Sequence, residues 1–366
     1  MHDTIETVSK RWDNHEGPRD TVTARKQNGR VTLSDVAQQA QVSKATASKA
    51  MNNREEVAAH TRKKVQEIAR TMGYRHASPL THVLPDIVAV SDSLQSPYTM
   101  SVLDGMVHEC TTHGLSLSIT ALSAPSSQHM PPVLSAPWLS LIAQKKVFGL
   151  VLMTMPVSRK QASMIKAEEI PTVLIDPRNH PPQGLTSIGA TNWNGGLQAT
   201  QHLISLGHRR IAYISGPPHS VPSTERYQGF LSAHHMANVP FNPELVDGNE
   251  FSYAEGVRVT EKLLALPEGS QPTAIFAGSD LTALGSLETL RRHGKKVPEK
   301  ISIVGFDDSL LALAANPPLT TVRQPVSDIG KTAIRTLIDI QEGNRPTGPL
   351  RFETTLVIRD STAKRA

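Results

Sequence analysis

The chain has 366 residues and a formal charge of +5, from 38 Lys and Arg against 33 Asp and Glu, with a pI near 9.3. At roughly 100–200 residues per domain this length predicts two or three domains. A 38% hydrophobic and 19% charged composition suits a soluble globular protein, and 23 Gly with 26 Pro excludes a collagen-like or largely low-complexity chain. No apolar run reaches the ~18 residues that span a bilayer. The first twenty residues hold no apolar stretch of the export-signal kind, so a cytoplasmic protein with no membrane partner is expected. The single cysteine, Cys110, can form neither an internal disulfide nor a zinc site by itself.

Residues 1–29 are poor in apolar side chains and mix both charge signs, which predicts a disordered polar tail. Residues 30–76 change character. They carry nine basic and four acidic residues, so the formal excess of the whole chain sits here, as in a polyanion-binding module. Thr32 can cap a helix running to about Ala40, with Val36, Ala37 and Ala40 as its buried stripe. Gln41 and Val42 turn the chain and Ser43 caps a second helix. On that helix Ala47, Ala50 and Met51 face inward, while Lys44, Ala45, Ser48 and Lys49 share the other face. A third helix, about 59–72, buries Val65, Ile68, Ala69 and Met72. This is a helix-turn-helix whose second helix presents cations, a hydroxyl and a methyl outward, as a major-groove reader does.

Residues 77–86 contain two prolines and read as a linker or hinge. From 87 to 366 short apolar runs alternate with helical patterns. Strands are predicted at 87–90, 115–121, 147–153, 172–175, 188–190, 211–215, 274–277, 301–304, 320–322 and 353–358. Helices are predicted at 103–110, 195–206, 225–234, 254–265, 281–292 and 326–340. Such alternation implies parallel sheets covered on both faces, and the stretch is too long for one sheet, so two lobes are expected. Ligands of open α/β sheets sit beyond strand carboxyl ends. Asp176, the Thr191-Asn192-Trp193 run, Ser279, Asp280, Asp307 and Gln324 all fall there. Asp280 reads as a helix cap rather than a ligand group.

The motifs VTLSDVAQQAQVSKATASKAMNN (31–53), Thr61-Arg62-Lys63-Lys64-Val65, Met72-Gly73-Tyr74, LGHRRI (206–211), AGSD (277–280), VGFDD (304–308) and PPLTTVRQ (317–324) resemble the lactose/galactose repressor (LacI/GalR) family over roughly 30–362. The resemblance implies an N-terminal three-helix helix-turn-helix domain followed by a two-lobed, doubly wound α/β domain like a periplasmic sugar-binding protein. It places base reading on Lys44, Ala45 and Lys49, and phosphate contacts and positioning on Ser43, Thr46, Ser48, Asn52 and Thr61. Helix packing and capping compete as the role of Thr46 and Asn52. It implies a minor-groove wedge at Val83, with Leu80 as the alternative, and an effector site built from Tyr98, Asp176, Trp193, Arg226, Ser279, Asp307 and Gln324. Arg226 is expected at the end of a loop over 217–226. Trp193 and Tyr98 could equally be core residues. Two departures stand out: Ala58 occupies a cap position where the family carries Ser, and the hinge contains Pro79. The stretches GATNWNGG (189–196) and ISGPP (214–218) are similar to regulators of xyloside or plant-oligosaccharide use.

The expected function is therefore a transcriptional repressor of sugar-utilisation genes. It binds pseudo-palindromic double-stranded operator DNA as a homodimer, under a small sugar effector and without a cofactor. A tetramer is not expected, since no heptad tail follows the last strand. A transport-type sugar-binding protein and a regulator of a non-sugar effector are the alternatives. An architectural DNA binder would not need the two lobes. An enzyme is not expected, because no Gly-x-Ser-x-Gly elbow, phosphate-cradling loop or metal-spaced histidine pair is present.

Overall fold

The computed structural model describes residues 31–52, 54, 56–74, 84–122 and 133–365, which fall into two units, 31–74 and 84–365. The polar tail over 1–29 and the hinge residues Leu80 and Val83 lie outside the described residues.

In the first unit, α1 (Leu33–Ala40) opens on a reciprocal cap. The Thr32 hydroxyl accepts from the Asp35 N–H at 3.3 Å, and the Asp35 carboxylate accepts from the Thr32 N–H at 2.8 Å. It closes on Gln41 in the left-handed region (φ 56°), which turns the chain into α2 (Lys44–Met51). The third helix, α3 (Ala59–Thr71), has Ala58 at its N-cap and no side-chain cap bond. Val36, Ala37, Ala40, Ala47, Ala50, Val57, Val65 and Ala69 form the core, with Met51, Ile68 and Met72 packed half-buried at its edge. Five of those eight buried side chains are alanine, so the helices pack closely on little side-chain volume.

The second unit begins β1 (Asp86–Ser91), α4 (Pro97–Thr112), β2 (Ser116–Ala121), α5 (Ala136–Gln144), β3 (Gly149–Met153), α6 (Arg159–Ala167), β4 (Thr172–Ile175), β5 (Thr186–Ala190). A second lobe follows: α7 (Asn192–Ser205), β6 (Ile211–Ile214), α8 (Val221–Met236), β7 (Val246–Asp247), α9 (Tyr253–Leu264), β8 (Ala274–Ala277), α10 (Asp280–Arg292), β9 (Ser302–Asp307), α11 (Leu310–Ala314), β10 (Thr320–Arg323). The chain then returns to the first lobe with α12 (Val326–Gln341) and β11 (Leu350–Phe352), and ends in the second with β12 (Thr355–Val357). The first sheet has the order β11-β5-β4-β3-β1-β2 and is parallel throughout. The second has the order β12-β10-β9-β8-β6-β7, with only β12 antiparallel. Every residue of β3, β4, β6 and β8 is buried, as central strands covered on both faces must be.

Three segments cross between the lobes, at Thr191, at Gln324–Pro325 and at Glu353–Thr354. The outer two are stitched together: the Thr191 N–H donates to the Phe352 carbonyl at 2.8 Å, and the Thr354 N–H donates to the Thr191 hydroxyl at 3.1 Å. The strand expected over 353–358 is β12, confined to 355–357 by the crossing at Glu353–Thr354, and β11 just before it was not expected. Alternation alone reads one run there; the crossing between lobes shortens it. The expected elements omit α5 and α6. The apolar residues of α5 surround Pro137 and run almost without a polar break, so no helical stripe is visible in the sequence.

Candidate functional site

On α2 the side chains of Lys44, Ala45 and Lys49 are exposed, while Ala47 and Ala50 are buried beneath them. Ser48 is half-buried on the same helix. Ser43 and Thr46 serve the helix start: the Ser43 hydroxyl accepts from the Thr46 N–H at 3.0 Å and pairs with the Thr46 hydroxyl at 2.8 Å. Asn52 closes the helix, its side-chain amide donating to the Ser48 carbonyl at 2.9 Å. Thr61 is half-buried on α3, with its hydroxyl 3.2 Å from the His60 ring. Sequence reasoning missed two groups here. The Arg62 guanidinium donates to the carbonyls of Arg54 (3.1 Å) and Val57 (3.0 Å), tying down the loop between α2 and α3. The ammonium of Lys49 pairs with Glu56, and this contact holds the Glu56 carboxyl below its ordinary value.

In the second unit a cavity of about 700 Å³ opens between the lobes. It is lined from one side by Tyr98 and Asp176 and from the other by Arg226, Ser279 and Asp307, five of the seven expected effector residues. Asp176 follows β4 with φ 41° and takes the Tyr98 hydroxyl as donor. Burial raises the Asp176 carboxyl, and the Tyr98 bond and the charge of Arg226 oppose that rise. Arg226 lies on α8 rather than in a loop, because Pro222 starts that helix early. Its side chain is 4% exposed. Nε donates to the Asn192 side chain at 2.8 Å and one terminal nitrogen to the Gly278 carbonyl at 2.5 Å. The guanidinium lies 3.7 Å from the Phe306 ring centroid and 5.0 Å from that of Phe251, and 3.8 Å from the Asp307 carboxylate. Burial drives the Asp307 carboxyl well above its usual range; Asp280 and Asp176 push the same way, while Arg226 and Gln324 oppose them.

Gln324 stands at a lobe crossing and donates to Asp307 at 2.7 Å, lining a smaller cavity that also touches Tyr98 and Asp307. Trp193 lines neither cavity and is 39% exposed on α7, so it is not core either. Its neighbour Asn192 turns inward instead. Ser279, not Asp280, caps α10: its hydroxyl accepts from the Thr282 N–H at 3.2 Å. The buried Asp280 carboxylate instead receives the Thr321 hydroxyl (2.6 Å) and the Ser309 N–H (2.7 Å), fixing the turn after β9. His208, in the LGHRRI motif, is buried among Thr273, Ser302 and the Ala363 carbonyl. Among the described residues no group of His, Cys, Asp and Glu is arranged to hold a metal ion, and no helix is long and apolar enough to cross a membrane.

Residues 32–76 match the model of bacterial regulatory proteins of the lacI family, and residues 200–362 match the periplasmic binding protein-like domain. The transcriptional repressor PurR of Aliivibrio fischeri (strain ATCC 700601 / ES114) is 31% identical over 342 residues, which span 91% of this chain and 99% of that protein. The chain belongs to the LacI family of bacterial regulatory proteins. Two solved members carry the likeness into three dimensions. The CelR–cellobiose complex superposes with a TM-score of 0.66 at 30% identity, over 91% of this chain and all of that one. The lac repressor dimer bound to operator and an anti-inducer gives 0.69 at 25% identity, over 91% and 99%.

As a LacI-family protein the chain is a DNA-binding transcriptional regulator, which removes the transport-type reading. Three cleft residues escaped sequence reasoning. Phe251 lines the cavity, and its ring sits where Cβ atoms on Gly216 and Gly278 would stand, 2.1 and 2.8 Å away. Asp92 and Arg178 also line the cavity, paired at 2.6 Å. Asp92 directly follows a strand, the same signal that found Asp176; Phe251 lies in a loop with no periodic signal.

Proposed function

We propose that this protein is a cytoplasmic, sequence-specific repressor of sugar-utilisation genes, with operator affinity set by a small neutral sugar in the interlobe cleft. The observation that carries this reading is the state of the cleft's cations. Arg226 and Arg178 are both already matched by carboxylates within 4 Å, so no net positive charge is left for a phosphate. What remains is a mixture of carboxylates, hydroxyls and anchored guanidinium donors beside the Phe251 ring. Carboxylates accept from neighbouring hydroxyls, guanidinium forks donate to adjacent oxygens, and an aromatic face covers the apolar face of a sugar ring. The ligand is bound rather than transformed.

In this proposal two copies pair and set two helix-turn-helix units on a pseudo-palindrome. Lys44, Ala45 and Lys49 read base edges from α2, with Ser43, Thr46, Ser48, Asn52 and Thr61 positioning that helix on the backbone. The hinge over 77–86 joins the units, with Val83 or Leu80 wedged into the minor groove. Sugar binding favours one arrangement of the lobes, and operator affinity changes by the resulting coupling free energy. Sugar in the cleft should release DNA. The cellobiose bound by CelR supports a carbohydrate effector. The test is genomic footprinting to find the operator, then fluorescence anisotropy of that duplex in the presence and absence of glucose, xylose and cellobiose. Operator affinity unmoved by any of them, with no melting shift either, would overturn the reading, since a ligand that binds only the folded state must stabilise it.

A further inference from the structure

We propose that the cleft is built for two sugar rings in series, with the second ring lying on Asp92, Thr154 and Arg178. This rests on the sugar reading above and narrows it to a disaccharide or longer. The polar lining falls into two groups. The inner one, Tyr98, Asp176, Arg226 and Asp307, is drawn from both lobes and offers acceptors and donors around a single ring. The outer one belongs to the first lobe, and among the described residues no hydrogen bond joins its side chains to the inner group.

Strand register sets the distance between the two groups. Ser91 pairs with Met153, and Met153 with Ile175, so the last residues of β1, β3 and β4 stand side by side. Asp92, Thr154 and Asp176 are the next residue on each. Adjacent strands lie about 4.8 Å apart, so Asp92 stands about 10 Å along the sheet edge from Asp176. A ring enclosed by the inner group leaves the outer group one ring further on. The cavity's size agrees: about 700 Å³ lies well inside the ~300–1,000 Å³ range that encloses drug-sized ligands.

The outer group is anchored for the task. The Asp92 carboxylate accepts from the Thr154 hydroxyl at 2.6 Å, the Ser93 N–H at 2.8 Å and Arg178 at 2.6 Å. That tethers the guanidinium while using one of its five donors on Asp92. Arg178 lines the cavity with its other donors still to be used. Thr154 holds φ 54°, a left-handed conformation that a β-branched residue rarely adopts. Backbone held in such regions clusters at ligand sites, and here it turns the hydroxyl onto Asp92.

Titration calorimetry on the full-length protein tests this, with glucose, galactose and xylose against cellobiose, lactose and xylobiose. At least one disaccharide should bind about tenfold or more tighter than its monosaccharide, the loss expected when a charged hydrogen-bonding group goes unused. Arg178→Ala and, independently, Thr154→Val should erase most of that gain while leaving monosaccharide affinity within about twofold, since they act only on the outer ring. Retained monosaccharide binding reports that each variant is folded. Equal affinity for mono- and disaccharides in the parent overturns this proposal alone, as does a variant that weakens both sizes alike. No heat from any of the six overturns it together with the sugar reading.

Discussion

The ammonium of Lys49, on the outward face of α2, rests on the carboxylate of Glu56 beyond the end of that helix. Both side chains are more than half exposed. A lysine that is to reach a base edge must first leave this carboxylate, and the carboxylate itself approaches a polyanion. Glu56→Gln should therefore tighten operator binding several-fold at low salt, with the gain shrinking as added salt screens the charge. Lys49→Gln should act in the opposite direction and relax discrimination at one base pair, by the ~1–3 kcal/mol of a good base contact. Anisotropy titrations of the operator and a single-base mutant decide both. Weaker binding by Glu56→Gln would mean that the carboxylate positions Lys49 on the DNA.

Ala58 begins α3 with an extended-type backbone and no side chain able to accept from the first turn. Ser at this position should cap the helix and stabilise the small unit by about 1 kcal/mol. Hydrogen exchange of α3 amides in the full chain reads this locally. Protection should rise in α3 and stay unchanged in the strands of the second unit. No change in α3 protection would show that the orphan amides are already satisfied by water.

The first unit was legible almost residue by residue, because capping, alanine packing and outward charge are all local signals. In the two lobes, central strands were found where short apolar runs are buried on both faces, as at β4 and β8, where the expected bounds match the observed ones. Of the edge strands, β2 and β12 were found, and β7 and β11 were not. β7 has two residues, β11 has three with Arg351 at its centre, and α5 lacks a polar face. The cleft was legible where its residues follow strands. Arg226 and Phe251 meet the cleft from a helix and a loop, and only the fold brings Phe251 onto Gly216 and Gly278. Trp193 was misplaced by one residue: the helix starting at Asn192 turns the asparagine inward and the indole outward.

Asp307 is a carboxyl whose folded-state pKa burial has driven up, with Asp280 and Asp176 adding to the rise. A carboxyl raised in the folded state binds protons more readily there than in the unfolded chain. Stability therefore falls as pH rises between the ordinary carboxylate value and the raised one, and is regained as pH drops back through that window. Asp307→Asn keeps an acceptor for Gln324 and removes the buried charge. Its melting temperature at neutral pH should exceed the parent's by a few °C, about the effect of 1 kcal/mol in a protein of this size. That advantage should vanish as pH falls toward the carboxylate range. The same variant should lose sugar affinity, since it removes a charged acceptor. Melting curves across pH, paired with calorimetry, check both halves. A destabilised Asn variant at neutral pH would show that the Arg226 pairing outweighs the cost of burial.

The placement of Arg226 depends on a glycine with no chemistry of its own. Helices α7 and α8 cross at Gly196 and Gly229. A Cβ on Gly196 would stand 2.2 Å from the backbone oxygen of Arg226, and one on Gly229 would stand 2.2 Å from that of Trp193. Neither partner atom belongs to a flexible side chain, so the helices themselves would have to part. Gly196→Ala should cost about 1–3 kcal/mol, the usual penalty for overpacking. It should also carry Arg226 away from Asn192 and Gly278, so sugar affinity should fall even at temperatures where the variant is fully folded. Gly269→Ala is the matched control. Its added Cβ meets nothing within 4 Å, and loss of unfolded-chain freedom should leave it neutral or stabilised by up to ~1 kcal/mol. If Gly196→Ala melts lower yet binds sugar as the parent does, the helix crossing supports the lobe without positioning the guanidinium, and the link from interhelical spacing to the ligand is broken.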